Sequence, residues 1–483
     1  MKSFNRITGI ILMGALGGFA VGCKSATQST DQAPISQSAS QDITRRTTER
    51  RAVEAVIWGI PVVNYDRMFQ AMVNAAHGGT NQILYWTHPS DWKNQTLTPN
   101  TDALYLMPFF NTKDAGPIVV EIPPAGPNGS IVGTLMDCWQ TPLEDVGPAG
   151  VDKGKGGKYL ILPPDYKQKP PAGYISLPSS NNQGYGLLRS IPKSGSEADI
   201  AAAVAYGRQV KLYPLSAAAH PPATTFADGT NVIIDGTIPY DTRFFESLNR
   251  MVQTEPWLTR DKAMIDQLRS IGIEKGKDFH PDDASTAALK SAVAEAHEWF
   301  EHRYAEYPPY NSGAHWFFPA DPAMMQDMAT AFANPDRYPV DARGLIYTYV
   351  FTSVKHMGAG QFYLFGNKDK GGRPLDGAKT YHLAVPAHVP AHQYWSATAY
   401  DYATHALIRE VPYGSRSSLT PGIKINPDGS ADLYFGPKAP EGKEFNWIPT
   451  KGGQNFELIF RLYGPDKALF DKTWVLPDLE EMK

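Results

Sequence analysis

The side chains best suited to chemistry lie in two short polar segments in the first third of the chain. Asn100 and Asp102 stand two residues apart in a Pro-containing turn, and Asp137 and Trp139 stand two apart at the end of an apolar run. Side chains two apart in extended backbone point the same way, so each pair could converge on one ligand or water. A carboxylate beside an indole can also grip a sugar or hold an acid whose pKa is raised.

Each segment has a structural interpretation as well. The first could be an Asx-turn that satisfies its own backbone, and the second could simply end a strand. If Asp102 and Asp137 share a pocket, they form the carboxylate pair that general acid/base catalysis needs, so both are candidate catalytic residues. The sequence leaves their separation open.

Candidate ligand-binding residues accompany the carboxylates and recur in the C-terminal third. Arg416 lies among hydroxyl-bearing residues in a predicted loop, which suits an anionic group held by guanidinium and hydroxyl donors. A solvated loop arginine is the alternative. The candidate substrate-binding residues are Asn100, Tyr105, Trp139, Trp395, Arg416 and Trp447.

Thiol, metal and nucleotide chemistry find less support. Cys138 would need a histidine partner and a lowered pKa to act as a nucleophile, and no cysteine-hydrolase motif surrounds it, so a buried inert thiol is favoured. His388 and His392 stand four residues apart, and His382 or Asp401 could be a third ligand, but such pairs usually lack one, so no metal site is predicted. No phosphate-binding loop or dinucleotide fingerprint is present, so the cofactor stays undetermined.

The amino terminus is typical of an export signal. Lys2 and Arg6 precede an apolar run over residues 7–22, which at sixteen residues is shorter than the span of a bilayer. The run ends Ala-Val-Gly before Cys23, which resembles a bacterial lipobox and predicts lipidation of Cys23. Residues 24–42 are rich in Ser, Thr, Gln and Ala, a composition typical of a disordered tether. We expect a protein of the bacterial cell envelope that faces the periplasm and is lipid-anchored to a membrane; a soluble periplasmic protein with a cleaved signal is the alternative.

The composition narrows the class of protein. A chain of 483 residues suits two or three domains, because single cores stop growing at about 250–300 residues. The net charge of −4 and the absence of a basic stripe argue against a nucleic-acid partner. Forty-two glycines and forty prolines predict many short strands and turns.

Alternation of residue types identifies a central strand in the C-terminal third. In the stretch Gln393–Tyr402, Tyr394 and Tyr400 fall on one face and Trp395 on the other. This pattern predicts an extended strand with both faces covered.

Further apolar runs predict the remaining elements. Two N-terminal helices, at 43–58 and 62–76, are expected to be separated at residues 59–61 by glycine and proline. Three more helices are expected to begin near Thr242, after Thr259 and near Ala284. Short strands are predicted at 118–122, 130–135, 159–162, 174–177, 186–188, 433–435 and 456–463.

Several motifs resemble two bacterial families of unknown function. The segments Pro99–Tyr105, Gly116–Val120, Met136–Trp139 and Ile271–Phe279 resemble domain-of-unknown-function family 1254. The segments Tyr394–Asp401, Asn446–Pro449 and Arg461–Pro465 resemble family 1214, which is the usual companion of family 1254. The resemblance implies an exported two-module protein with a jelly-roll-like β-sandwich at the C-terminus, and it implies no settled activity.

We therefore expect an α+β fold in which two antiparallel β-rich modules, the second jelly-roll-like, are joined by a helical segment. The expected organisation is a lipoprotein-type signal (1–23), a disordered tether (24–42), a helix-plus-β module resembling family 1254 (43–215), a mostly helical connection (216–375) and a β-sandwich resembling family 1214 (376–483).

Two functions fit these features. The first is a hydrolase that acts on a small or saccharide-like substrate with Asp102 and Asp137 as acid and base. The alternative is a non-catalytic envelope lipoprotein that binds such a ligand. The expected partners are a small-molecule or saccharide ligand and a membrane reached through the lipid on Cys23; the oligomeric state is left open.

Overall fold

The computed structural model describes residues 37–127, 129–350, 354–356 and 360–483 of the chain. The predicted signal at 1–23, the lipidation site Cys23 and residues 24–36 of the predicted tether lie outside the described residues. The chain divides into two units, Met1–Thr44 and Arg45–Lys483, and the second holds the sheets and the cleft described below.

Helices occur mainly at the start of the described chain and between the two β modules. The three helices predicted in the middle are confirmed as α4, α5 and α6. No helix in the part of the chain that the structure describes combines the length and the apolar character needed to cross a membrane. The α-helices are α1 (Gln37–Ala75), α2 (Thr112–Ala115), α3 (Glu197–Gly207), α4 (Arg243–Thr254), α5 (Lys262–Ser270), α6 (Asp283–Ala305), α7 (Pro322–Ala329), α8 (Val340–Tyr349) and α9 (Lys467–Phe470).

The first helix is one continuous element, so the prediction of two helices separated at residues 59–61 is wrong. Pro61 lies inside α1, although a proline within a helix removes a backbone donor and costs roughly 3 kcal/mol. Residues on both sides of it, over 52–72, are largely buried in the main core. Their burial outweighs the local preference of the proline. The helix also begins at Gln37, inside the predicted tether at 24–42.

The N-terminal module contains two main sheets. The strands are β1 (Gln82–Tyr85), β2 (Asn94–Gln95), β3 (Leu104–Asn111), β4 (Ile118–Ile122), β5 (Ile131–Asp137), β6 (Pro142–Val146), β7 (Gly157–Leu162), β8 (Ile175–Pro178), β9 (Gln183–Ser190), β10 (Lys211–Pro214), β11 (Phe226–Asp228) and β12 (Ile234–Asp235). A six-stranded sheet has the order β11-β1-β3-β9-β5-β6, and a four-stranded sheet has the order β10-β4-β7-β8. The five strands predicted between residues 118 and 188 are confirmed as β4, β5, β7, β8 and β9. Strands β11 and β12, from the region predicted as a helical connection, pair with β1 and β2.

The six-stranded sheet turns its two faces to different cores. Along β9, Leu188 packs in a core shared with the four-stranded sheet. Tyr185 and Leu187 face the opposite way and belong to the main core with the helices, where the Tyr185 ring lies 5.8 Å from that of Tyr65 on α1. The alternation of a strand therefore places Arg189 on the same face as Tyr185 and Leu187.

The C-terminal module is a sandwich of two four-stranded sheets, which confirms the predicted α+β fold with two β-rich modules. One sheet has the order β13-β19-β15-β16 and the other β18-β17-β14-β20, and they enclose a separate apolar core. The first strand, β13, was missed because it falls within the region predicted as helical. The strands are β13 (Gln361–Gly366), β14 (Tyr381–Val385), β15 (Ala391–Asp401), β16 (Ser415–Ser417), β17 (Ala431–Gly436), β18 (Trp447–Pro449), β19 (Phe456–Pro465) and β20 (Glu480–Glu481).

The central strand predicted at Gln393–Tyr402 is confirmed as β15. Trp395 packs inside the sandwich against Phe460, with ring centroids 5.6 Å apart. Tyr394 lies on the other face, where it pairs with Tyr463 of β19. This second face is buried against the N-terminal module, because both tyrosine hydroxyls contact a side chain of that module.

Candidate ligand-binding cleft

A cleft of about 790 Å³ lies between the two β modules. The N-terminal module lines it with the start of β5, the end of β6 and the end of β9, together with adjoining loops. The C-terminal module lines it with the starts of β13 and β15 and the end of β19. The volume is within the range of sites that hold small organic molecules.

Strand pairing places Arg189 in the wall of this cleft. Arg189 pairs with Val132 on β5 and with Tyr105 on β3. Directly paired residues project from the same face of a sheet, so these three side chains form a row across three strands. Val132 and Arg189 both line the cleft, and Thr134, two residues after Val132, lines it as well.

Arg189 is a buried cation whose closest electrostatic neighbours are tyrosines. It is 5% exposed, and its Nε has no hydrogen-bond partner among the described residues. Burial lowers the pKa of the guanidinium, but Tyr105, Tyr363 and Tyr463 outweigh burial and raise that pKa above its ordinary value. No carboxylate is among these strongest neighbours. Arg189 is therefore a buried charge with no carboxylate among its strongest neighbours in the described chain. Burying a charge without a paired counter-ion is costly.

Two stacked tyrosines stand beside Arg189 in the cleft. The rings of Tyr394 and Tyr463 lie 4.3 Å apart and nearly parallel. The amide nitrogen of Asn100 donates to both hydroxyl oxygens, at 2.8 Å and 2.7 Å. Each oxygen accepts from Asn100, so each tyrosine donates its own hydroxyl hydrogen elsewhere. The Tyr463 hydroxyl also lies 3.3 Å from that of Tyr363, where either oxygen can be the donor. Burial raises the pKa of Tyr394 well above its ordinary value, so this hydroxyl remains a donor.

The rim of the cleft adds positive charge. Lys153 and Lys193 line it and are exposed. Asp145 also lines it, but its carboxylate accepts from the backbone amides of Lys355 and His356 at 3.0 Å and 2.8 Å. The one acidic side chain in the described wall is thus engaged with donors of the protein. The cleft as a whole favours an anion.

Asn100 and Asp102, predicted as site residues, lie behind the cleft. The Oδ1 of Asn100 accepts from the Asp102 amide at 2.8 Å, which is the Asx-turn that the sequence left open. The Oδ1 of Asp102 accepts from the Ser417 hydroxyl at 2.6 Å, while its Oδ2 is buried without a partner among the described residues. Burial raises the pKa of Asp102, against smaller opposing effects of Ser417 and Arg461. Neither residue lines the cleft.

Asp137, the second predicted catalytic residue, supports a turn. Its Oδ1 accepts from the backbone amides of Trp139 and Thr141 at 2.9 Å and 2.8 Å. These bonds hold the connection between β5 and β6. The contacts of Asp137 therefore agree with the interpretation that this residue ends a strand. Burial raises the pKa of Asp137, and the residue does not line the cleft.

The two carboxylates lie far apart, so the structure does not bring them into one pocket. On β9, Gly184 pairs with Asp137, whereas Ser190 pairs with Leu104, two residues after Asp102. Gly184 and Ser190 are six residues apart along β9, which corresponds to roughly 20 Å. Asp102 and Asp137 therefore cannot act together on one bond.

Cys138 and Trp139 belong to the main core. Cys138 is fully buried, and burial raises the pKa of its thiol well above the ordinary value. The Trp139 ring lies 4.5 Å from that of Trp58 on α1. Trp139 is thus a packing residue here, and the inert interpretation of Cys138 fits its surroundings.

The predicted binding residues of the C-terminal module also lie outside the cleft. Trp395 is inside the sandwich core. The Nε of Arg416 donates to the carbonyl of Phe445 at 2.8 Å, and its guanidinium lies 3.7 Å from the centre of the Tyr413 ring. The indole of Trp447 donates to a backbone carbonyl of β17 at 2.8 Å. Tyr105 lies closer to the site, since it pairs with Arg189 and its hydroxyl accepts from the Asn100 amide at 2.7 Å.

Sequence reasoning missed Arg189, the buried cation in the described wall of the cleft. A signal for it exists in the alternation of β9, where Tyr185, Leu187 and Arg189 share one face. A single cation at the end of an apolar face is the pattern of a buried charge. Tyr394 and Tyr463 lie within the segments that resemble family 1214, but their pairing follows from strand order, which the sequence does not show.

Metal ligands do not cluster in the part of the chain that the structure describes: no group of three or more His, Cys, Asp or Glu side chains there could hold an ion.

Comparison with known proteins identifies two domains and a fold. The model of the family "Protein of unknown function (DUF1254)" matches residues 80–214, and that of "Protein of unknown function (DUF1214)" matches residues 360–467. No curated protein matches the chain. The crystal structure of the VPA0106 protein from Vibrio parahaemolyticus is similar in fold, with a TM-score of 0.55 and 18% identity over 90% of this chain and 100% of that one. A putative uncharacterized protein from Burkholderia cenocepacia aligns at a TM-score of 0.42 and 11% identity, over 92% of this chain and 97% of that one.

Proposed function

Because the chain carries a DUF1254 domain followed by a DUF1214 domain, neither with an assigned activity, we propose a function from the cleft that both domains line: the protein binds a small anionic molecule there. The observation that carries this proposal is the buried guanidinium of Arg189, which has no carboxylate among its strongest neighbours. A ligand that supplies the missing negative charge offsets the cost of burying this cation.

The neighbouring groups support the same ligand class. A guanidinium can donate two parallel hydrogen bonds to a carboxylate or phosphate. The Tyr394 hydroxyl can donate to the same anion, and the Tyr463 hydroxyl can do so when Tyr363 is the donor of the bond between those two hydroxyls. A neutral saccharide would leave the charge of Arg189 uncompensated, so we favour a charged ligand.

The alternative function is a hydrolase with Asp102 and Asp137 as acid and base. Paired carboxylates of glycoside hydrolases lie about 5–10 Å apart. The strand geometry separates these two by roughly 20 Å, and each carboxylate accepts hydrogen bonds from the protein. The geometry therefore favours binding over this form of catalysis.

Calorimetric titration of octanoate, succinate and inorganic phosphate into the full-length chain tests the proposal. We expect at least one of these anions to bind. Arg189→Gln should weaken that binding about 10- to 100-fold, since hydrogen bonds to charged groups contribute roughly 1.5–3 kcal/mol. Arg416→Gln is the matched control and should leave the affinity unchanged, because Arg416 does not line the cleft.

A second variant separates binding from folding. Arg189→Lys keeps the buried charge but loses the planar pair of donors, and it should weaken binding less than Arg189→Gln. Failure of all three anions to bind, or equal affinity of wild type and both Arg189 variants, would contradict the proposal. Turnover of a nitrophenyl ester or glycoside that is lost in both Asp102→Asn and Asp137→Asn would favour the hydrolase instead.

We also propose that the protein is an exported lipoprotein of the bacterial cell envelope, held on a membrane and facing the periplasm. This proposal is supported by Lys2, Arg6, the apolar run at 7–22 and Cys23. Multiple acyl chains on one cysteine would give stable attachment, whereas a single chain would not. Cys23→Ala should move the protein from the membrane to the soluble fraction of cells. Unchanged fractionation would contradict the anchor.

A further inference from the structure

The cleft combines its cation with an extended apolar wall. Val132, Val146, Ala149, Ile191 and Leu419 all line it. Four of these side chains, all but that of Val146, remain partly exposed although they are apolar. Apolar surface left facing a concave cleft is typical of a site that receives an apolar ligand group.

Charge and apolar surface are adjacent in this wall. Val132 pairs directly with Arg189 across β5 and β9. Paired residues have Cα atoms about 4.5–5.5 Å apart and project from the same face, so the two side chains lie next to each other in the wall. A ligand held at Arg189 therefore lies next to apolar surface.

The size and the charge of the cleft restrict the class of ligand further. Its volume of about 790 Å³ far exceeds that of an inorganic anion, which would leave most of the apolar wall unused. Arg189 is the buried cation in the described wall, and the lysines of the rim are exposed. One guanidinium with tyrosine donors matches a single carboxylate better than a phosphate ester of higher charge.

We propose that the ligand is an amphipathic monocarboxylate: its carboxylate binds Arg189, Tyr394 and Tyr463, and its hydrocarbon body lies along Val132, Ile191 and Leu419. This inference rests on the proposed anion-binding function and names the substrate class of that site. A fatty acid or an aryl-alkanoic acid has this chemistry.

A homologous series of straight-chain acids tests the inference. Acetate, butyrate, hexanoate, octanoate and decanoate are titrated into the full-length chain, with 1-octanol as an uncharged comparison. We expect the affinity to rise with chain length by up to about fourfold for each methylene buried. Octanoate should bind at least tenfold more tightly than 1-octanol, and Arg189→Gln should remove that difference.

A pair of surface variants locates the hydrocarbon. Leu419→Gln, in the cleft wall, should reduce the gain per methylene, whereas Ile425→Gln, an exposed isoleucine outside the wall, should not. If anions bind through Arg189 but with no dependence on chain length, the amphipathic ligand is wrong while the anion site stands. If no acid binds, the anion-binding function itself is wrong. Equal binding of octanoate and 1-octanol would overturn the role of the carboxylate.

Discussion

Asn100 donates from its amide nitrogen to the hydroxyl of Tyr463 in the other β module, over 2.7 Å. The same nitrogen donates to Tyr394, and the Oδ1 of Asn100 accepts from the Asp102 amide. One buried amide therefore joins the two modules and fixes the two tyrosines that line the cleft. Its position explains how a turn that does not line the cleft can still determine the shape of that cleft.

Asn100→Ala should destabilise the protein by about 2–3 kcal/mol, because three hydrogen bonds are lost and buried polar atoms are left without partners. Urea unfolding of the full-length chain measures the change. Asn74→Ala, on the exposed side of α1, is the control and should have little effect. Equal stability of the two variants would show that the amide does not hold the modules together.

Asp102→Asn should stabilise the protein at neutral pH by about 1 kcal/mol, because a neutral amide avoids the cost of burying an ionised carboxylate. Burial raises the pKa of Asp102 in the folded state. The folded state therefore favours the protonated acid, and the stability of the wild type falls as the pH rises from the ordinary value of 3.8 through the raised pKa. The asparagine retains an acceptor for Ser417 and does not ionise.

Thermal unfolding between pH 3.5 and pH 8 checks this prediction. The difference in unfolding temperature between variant and wild type should be absent at pH 3.5 and should grow as the pH rises. Asp336→Asn, at an exposed position, should give a difference that does not change in this way. A variant that is less stable than wild type at pH 7 would indicate that the Asp102 charge is favourable.

The sequence was sufficient for most of the elements but not for the site. Periodicity identifies strands such as β4, β7 and β15, since their alternation or apolar runs depend on local residues. It failed at Pro61, where contacts from distant helices override a local helix breaker. It also failed at β13, because the pairing of that strand with β19 lies about a hundred residues away in the chain.

The polar residues of the site illustrate the same limit. Residue type and spacing make Asp102 and Asp137 candidates, yet strand register places them beside opposite ends of β9. The residues next to Arg189 in the sequence do not mark it as a site residue, because its role depends on the side chains that surround it in the fold. Its tyrosine neighbours belong to three strands of two sheets. The burial of a cation among tyrosines from distant strands is a tertiary property that spacing cannot reveal.

Cys138 should be unreactive in the folded protein. Burial raises the pKa of its thiol well above the ordinary value, and the thiolate is the reactive form. A chromogenic disulfide reagent at pH 8 should titrate no thiol in the folded Cys23→Ser variant and one thiol after unfolding in guanidinium. Rapid reaction in the folded state would show that Cys138 is accessible, contrary to its burial.

His405 and Glu457 should make the stability of the protein depend on pH above neutrality. The Nδ1 of His405 lies 2.7 Å from Glu457, whose other oxygen accepts from the Tyr304 hydroxyl at 2.7 Å. Glu301 on α6 lies 4.0 Å from the Nε2 of the same imidazole. Burial lowers the pKa of His405, but Glu457 and then Glu301 outweigh burial and raise it above its ordinary value. The folded state therefore favours the imidazolium, and its contribution is complete below about pH 6.5 and is lost as the pH rises through the raised pKa.

Urea unfolding from pH 5 to pH 9 measures this contribution in wild type and in His405→Gln. At pH 5.5 the free energy of unfolding of the variant should be lower than that of wild type by roughly 3 kcal/mol, the cost of leaving a buried charge without its partner. This difference should become smaller as the pH rises. Glu457→Gln should abolish the same pH dependence, because the imidazolium then lacks its closest counter-ion. His302→Gln is the matched control, since the His302 side chain is 72% exposed, and it should follow the wild-type profile. Parallel profiles for wild type and His405→Gln across this range would mean that the imidazole is neutral in the fold and that the pair is held by a hydrogen bond alone.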